Sequence, residues 1–293
     1  MSAYRSMLYI PGNSPSLLQH APIFGSDSVL LDLEDAVALS EKDAARKLVR
    51  HMIATLDFGR ILVTVRVNGA DTPFFERDLE EIIPACPGAI RLPKCGTPDD
   101  VRAADAKISA LEERHGIAAG SIKLHAMIES AAGVVNANAI AGASPRLSAI
   151  TIGGQDLIAD MGAKKSREGW EIFSARGQIV IAAKSRGLDV YDTVWTDVND
   201  NEGLFEETKR IVAMGFTGKA AIHPMQVPVI HSAFTPEPRE IDFAGRVIRA
   251  AEEARRDGRG VFSVDGKMVD GPIIAQAARV LELAALSKRG GVQ

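Results

Sequence analysis

SVLLDLEDAVALSEKDAAR, residues 28–46, decides the fold. Ser28 to Leu33 is a short apolar run rich in Val and Leu, and two acids, Glu34 and Asp35, follow it directly. Ser40-Glu41-Lys42-Asp43 then reads as a helix start, with Ser40 as cap and Asp43 three residues on. The stretch AARKLVRHMIATL continues it and sets Leu48, Met52 and Leu56 four residues apart. An apolar strand, a polar turn and an amphipathic helix make one βα unit. Strands of a parallel sheet are buried on both faces, so they read as near-continuous apolar runs.

The same unit recurs on both sides. Runs of this kind are RSMLYI (Arg5 to Ile10), ILVTVRV (Ile61 to Val67), AIRLP (Ala89 to Pro93) and IKLHAMI (Ile122 to Ile128). SAITIG (Ser148 to Gly153), LDVYDTVW (Leu188 to Trp195) and KAAIHP (Lys219 to Pro224) complete a set of eight. Helical stretches lie between them: residues 99–116 end at Gly116, residues 166–187 at Gly187 and residues 201–215 at Gly215. A glycine just past a helix suits a left-handed cap. Eight alternating units predict a closed (β/α)8 TIM barrel over residues 1–235. An open doubly wound sheet is the alternative, but the glycine-rich nucleotide fingerprints are missing. Residues 236–293 read as a C-terminal helical extension: a helix from Glu240 to Asp257, the turn-rich VFSVDGKMVDGP, a helix from Ile273 to Ser287 and a fraying tail, KRGGVQ.

Composition narrows the function. The 293 residues are 46% hydrophobic and carry 34 basic against 38 acidic side chains, a net −4. General nucleic-acid binding wants a basic face, so no nucleic-acid partner is expected. No apolar run is long enough to span a bilayer, and the N-terminus lacks the pattern of a signal peptide. With Cys86 and Cys95 as its two cysteines, the chain reads as a reduced cytoplasmic protein.

Barrel enzymes of this type use residues at the C-terminal ends of their strands. Polar residues there include Glu34-Asp35, Arg66, Asn68, Lys94, Glu129, Gly154-Gln155-Asp156, Asp197 and His223. Several carboxylates on one rim repel, and a cation is the simplest compensation. Glu129 and Asp156, on neighbouring strands, are the expected ligands of Mg2+, which takes one or two carboxylates plus waters. Glu34 and Asp35 are placed to hold those waters. With no H-E-x-x-H and scattered histidines, the sequence does not point to zinc. Arg66, inside TVRVN, reads as the seat of a substrate carboxylate, and an ion pair with Glu34 or Asp35 is the plainer alternative. Gly154 and Gln155 are set beside it as substrate contacts. Lys94 and Cys95 carry no evident role, and His223 reads equally as a core histidine or a catalytic group. Lys164, Lys165 and Arg167 form a basic cluster that either holds a carrier's phosphates or is simply solvated.

RSMLYIPGN, SVLLDLEDAVALSEKDAAR, VTVRVN, IRLPK, AMIES, DTVWTD, GFTGKAAIHPMQV and GKMVDGP together resemble the citrate lyase β subunit and its CitE-like relatives, within the HpcH/HpaI aldolase superfamily. The resemblance runs from Arg5 to Ser287. It implies a TIM barrel that cleaves a C–C bond in a 3-hydroxyacyl thioester with Mg2+. On a citryl thioester, carried by CoA or an acyl-carrier protein, the products are oxaloacetate and an acetyl thioester. Malyl-CoA or citramalyl-CoA lyase activity is the alternative, and a binding subunit without independent turnover is another. The resemblance assigns metal binding to Glu129 and Asp156, the keto-acid carboxylate to Arg66, and support of the metal waters to Glu34 and Asp35. Asp270 of MVDGP is implied to act as acid or base in a neighbouring subunit's site. A homotrimer or hexamer is implied, or an assembly with citrate lyase α and γ subunits. One departure stands out: relatives commonly carry GAED or GGED where this chain has GGQD, so Gln155 replaces a glutamate.

Overall fold

The computed structural model describes residues 4–256, 258 and 261–289. The last four residues of the KRGGVQ tail and the expected helix end at Asp257 lie outside them. Eight strands close a parallel barrel in sequence order. They are β1 (Ser6–Pro11), β2 (Ser28–Asp32), β3 (Leu62–Arg66), β4 (Ala89–Leu92), β5 (Lys123–Ile128), β6 (Leu147–Ile152), β7 (Asp189–Asp192) and β8 (Gly218–Ala221). Each falls within one of the predicted apolar runs or overlaps it. β1 pairs with β8, with Met7 against Ala220, and this pairing closes the ring.

Alternation along the strands sorts the residues. One set packs against the helices, as Val29, Leu31, Val63 and Val65 do, all buried. The other faces the barrel axis, where Met7, Leu30, Ala149 and Tyr191 form a packed cluster. Toward the C-terminal ends, the axis-facing positions turn polar. In register, Asp32 at the end of β2 sits opposite Arg66 at the end of β3, and Arg66 opposite Arg91.

Two helix starts differ from the sequence expectation. Ser40 does not cap: Leu39–Glu41 form a 3-10 turn, and the helix Lys42–Thr55 begins after it with no side-chain cap. Lys42 instead turns back to the strand end, its Nζ donating to the carbonyls of Leu33 (2.7 Å) and Glu34 (2.6 Å). The helix expected from Ser166 starts only at Phe173, behind a 3-10 turn at Trp170–Ile172. Gly169 adopts φ +72° there, a left-handed conformation that cannot propagate a helix. The helices Pro98–Arg114 and Asn201–Met214 match their predicted ranges. Thr97 and Asp100 form a capping box at the start of the first, and left-handed Gly215 closes the second.

The chain divides into two compact units between Ile230 and His231. The second unit holds the helices Pro238–Arg256 and Gly271–Arg289 and a two-stranded antiparallel sheet of β9 (Phe262–Val264) and β10 (Lys267–Val269). Asp265 and Gly266 join these strands with φ +51° and +74°, the paired left-handed residues of a tight hairpin turn. Ala244, Val247, Val264, Val269 and Ala277 form its core.

Within the barrel, Asp78 ties two elements together. Fully buried, it accepts from Arg46 Nε (2.9 Å), the Asn68 backbone N–H (2.8 Å) and Asn68 Nδ2 (2.6 Å). Asn68 in turn donates to the Leu33 carbonyl (3.0 Å), so the ends of β2 and β3 are held to one helix. Asp78→Ala removes the counter-charge of a buried guanidinium and should destabilise the chain by about 3 kcal/mol in urea unfolding. A loss under about 1 kcal/mol would show that this junction does not anchor the strand ends.

Candidate active site

Asp32 organises the rim. Its carboxylate takes Arg66 side-on, from Nε at 2.7 Å and from Nη2 at 2.6 Å. The same two oxygens accept the backbone N–H groups of Glu34 (3.0 Å) and Ala36 (3.2 Å), which shapes the turn carrying Glu34 and Asp35. Arg66 Nη1 lies 2.8 Å from Glu34 Oε2 and donates to Asp35 Oδ2 at 3.2 Å. Both plainer partners named from the sequence, Glu34 and Asp35, are therefore present, and a third, Asp32, holds the arginine more firmly with two hydrogen bonds. A guanidinium has more donors than these hydrogen bonds use, so capacity for a ligand carboxylate remains. Burial opposes the charge on Arg66, but Asp32's hydrogen bonds and charge more than offset it and hold the arginine protonated.

Glu129 follows β5 and is held by an unexpected partner: the Lys94 backbone N–H donates to its Oε1 at 2.6 Å. Lys94 takes φ +55° to present that N–H, so its contribution here is through the backbone. Burial, aided by the charge of Asp156, pushes the Glu129 carboxyl up to about 7. Burial likewise pushes Glu34 up to about 8; Arg66 works against the rise, while Asp35, Glu129 and Asp32 add to it. Asp156 lies in the first turn of the helix Gly154–Asp160, directly after β6. Gly153 separates them by necessity, since a Cβ there would stand 2.5 Å from Glu129 Oε2.

Beside these groups lies a cavity of about 400 Å³, whose lining includes Tyr9, Asp32, Asp35, Arg66, Gln155 and Asp156. Gly154 also lines it, but its N–H is taken by Thr193 Oγ1 at 3.1 Å, so it offers a ligand no amide donor. Thr193 is held from behind by Lys219, whose Nζ donates to its carbonyl (2.9 Å) and to Asp192 (2.8 Å) and Glu207 (2.6 Å). Tyr9, Asp32, Lys42 and Thr193 were not picked out as site residues in the sequence. An acid at an axis-facing position of an apolar run was the available signal for Asp32.

Other candidates stand apart. His223 is exposed and accepts from the Met225 N–H, so it is not a core histidine. Asp197 is exposed in the loop after β7. Lys164, Lys165 and Arg167 are exposed, with Lys165 bonded to Thr196 and Arg167 paired to Asp200. Cys95 is buried, and burial pushes its thiol well above the ordinary range, so it is inert. Asp270 belongs to the second unit, where its Oδ1 accepts the Ile273 N–H (3.4 Å) at the start of the helix Gly271–Arg289.

The donor set fits a hard divalent cation. Glu129 and Asp156 supply oxygens, and the raised proton affinity of Glu129 is what a nearby positive charge would relieve. No group of three or more His, Cys, Asp or Glu forms a metal cluster among the described residues, so water or ligand oxygens would complete the shell.

A parallel eight-stranded barrel with an acidic C-terminal rim and one central arginine defines the class of site. The chain belongs to the HpcH/HpaI aldolase/citrate lyase family, whose model matches residues 5–224. It is 42% identical to the citrate lyase subunit beta of Leuconostoc mesenteroides subsp. cremoris, over 96% of this chain and 93% of that one. It is 39% identical to a (3S)-malyl-CoA thioesterase of Cereibacter sphaeroides, over 96% and 94%. Among solved structures, it resembles protein CitE from Mycobacterium tuberculosis in complex with magnesium, acetoacetate and coenzyme A. That match has a TM-score of 0.79 at 33% identity and covers 97% of this chain and 99% of the other.

The buried acids make stability depend on pH with a defined sign. Glu34 binds its proton more tightly folded (about 8) than unfolded (4.5), so its contribution is complete below pH 4.5 and is lost as pH rises through 8. In EDTA, wild type should lose more melting temperature than Glu34→Gln between pH 5 and pH 8.5. Parallel curves for the two proteins would show that Glu34 titrates normally.

Proposed function

We propose that this chain is a Mg2+-dependent carbon–carbon lyase acting on a citryl thioester, giving oxaloacetate and an acetyl thioester. The observation that carries the reading is that Asp156 and Arg66 line one cavity and Glu129 lies near enough to feel the charge of both, in a chain 42% identical to a citrate lyase subunit beta. Glu129 and Asp156 would hold the metal, with Glu34 and Asp35 ordering water around it. Mg2+, when bound, supplies Lewis-acid polarisation of the substrate oxygens.

The remaining work falls to the chain's own groups. Arg66 binds the substrate carboxylate with the donors that Asp32 and Asp35 leave, and so fixes the scissile bond relative to the rim. Glu34 has a proton affinity near neutral pH and is suited to take the 3-hydroxyl proton, directly or through one water. The hydroxyl oxygen then forms the new carbonyl, and the C–C bonding pair leaves as the enolate of the acetyl thioester. Asp270, supplied by the extension (residues 236–293) of a neighbouring subunit, protonates that enolate carbon. This role requires a homo-oligomer, for which a trimer or hexamer is the expected state, and it allows assembly with citrate lyase α and γ subunits. A cytoplasmic location is part of this proposal; among the described residues no helix is long and apolar enough to cross a membrane.

A second reading, a malyl-CoA or citramalyl-CoA lyase, is favoured by the 39% identity to a malyl-CoA thioesterase. The same rim serves it, with a different substituent on the hydroxyl-bearing carbon.

A panel of citryl-CoA, malyl-CoA and citramalyl-CoA with Mg2+, read by released keto acid, separates these readings. The proposal expects oxaloacetate from citryl-CoA, at a kcat/KM at least about tenfold above the others. Preference for malyl-CoA or citramalyl-CoA moves the assignment to the second reading. No turnover until a carrier protein is added would identify a subunit that works only on a carrier-bound acyl group.

A further inference from the structure

Arg91, on β4, is fully buried and lies against Tyr9, which lines the cavity. The other buried arginines, Arg5, Arg46, Arg66, Arg146 and Arg176, each pair with a carboxylate. Arg91 has none among the described residues. Its Nη1 donates to Tyr9 Oη at 3.0 Å, its Nη2 meets His125 Nδ1 at 3.4 Å, and its buried Nε has no hydrogen-bond partner. The rings around it are neutral: burial and Arg91 itself hold His125 well below its ordinary proton affinity, and burial holds the Tyr191 hydroxyl protonated. A buried cation with neutral neighbours is costly to stability.

Its position suggests what the charge is for. Tyr9 lines the cavity and lies between two guanidiniums, with Arg66 5.5 Å and Arg91 6.0 Å from its ring centroid. Arg66 faces three carboxylates, Asp32, Glu34 and Asp35, so it is locally outnumbered. A cavity meant for an anion needs another source of positive potential, and in a low-dielectric barrel a charge one ring away acts strongly.

We propose that Arg91 is a positioning and specificity-determining residue of this site: a buried cation under the cavity floor, neutralised by the carboxylate-bearing ligand rather than by the protein, and coupled to it through Tyr9. The identity of the anion rests on the reaction proposed above; the uncompensated charge does not. Arg91 fixes Tyr9 by donating to its hydroxyl, and Tyr9 in turn sets the floor against which the ligand carboxylate is held toward Arg66.

The test uses the full chain with Mg2+ and compares Arg91→Met, Arg91→Lys and Tyr9→Phe with wild type. Oxaloacetate affinity is measured by calorimetry, and thermal unfolding is measured without ligand. Arg91→Met should melt no more than about 2 °C below wild type while its Kd for oxaloacetate rises at least about tenfold. Arg91→Lys, which keeps the charge, should recover most of that affinity, and Tyr9→Phe should fall between. Arg176→Met, which breaks a neutralised network, should melt far lower than Arg91→Met. Unchanged oxaloacetate affinity in Arg91→Met overturns the inference, as does a loss of stability matching Arg176→Met or a failure to fold. A wild-type chain that binds no oxaloacetate counts against the proposed reaction instead, and Arg91 is then judged by the unfolding data alone.

Discussion

The ion pair between Asp32 and Arg66 is the contact on which the site depends. Both residues end their strands, and the β2–β3 register sets them opposite one another. The β2–β3 pairing therefore makes this pair. Asp32 then uses its oxygens twice, for the guanidinium and for the N–H groups that turn the chain after β2. That turn delivers Glu34 and Asp35 to the same arginine. Lys42 supports it from below by binding the Leu33 and Glu34 carbonyls, and Asn68 binds the Leu33 carbonyl from the side. A rigid acidic turn and a pinned arginine result from one strand pairing.

The arrangement gathers more negative than positive charge. Asp32, Glu34, Asp35, Glu129 and Asp156 meet Arg66 alone at the rim, and burial, with neighbouring carboxylates adding to it, raises the proton affinities of Glu34 and Glu129. Protons can relieve the imbalance when no metal is bound. A divalent cation held by Glu129 and Asp156 would relieve it and would leave Arg66 free to take a carboxylate. Arg91, below Tyr9, is the opposite imbalance on the floor, a positive charge without a counter-ion. An acidic rim over a cationic floor is suited to a ligand that brings both metal-seeking oxygens and a carboxylate.

The barrel was legible because its strands are buried on both faces and therefore stand out as apolar runs. Glu129, Asp156 and Arg66 were legible because each interrupts or ends such a run. Asp32 was hidden by the same continuity: SVLLDL reads as one apolar block, and only register shows that Asp32 faces inward beside Arg66. Arg91 was hidden likewise inside AIRLP. Lys42 was read as part of a helix cap, while its role is to bind carbonyls nine and eight residues back in the chain. Lys94 works through its backbone N–H in a left-handed conformation, which no residue-type reading reveals. Gly154 shows the converse error, since its amide is spent on Thr193.

The central claim is that the acidic rim is completed by one divalent cation held by Glu129 and Asp156. Calorimetric titration of the full chain with Mg2+ tests it directly, comparing wild type with Glu129→Gln and Asp156→Asn. The account predicts one Mg2+ per chain in wild type and a loss of affinity of at least about tenfold in each variant. Wild-type stoichiometry and affinity in both variants would contradict it.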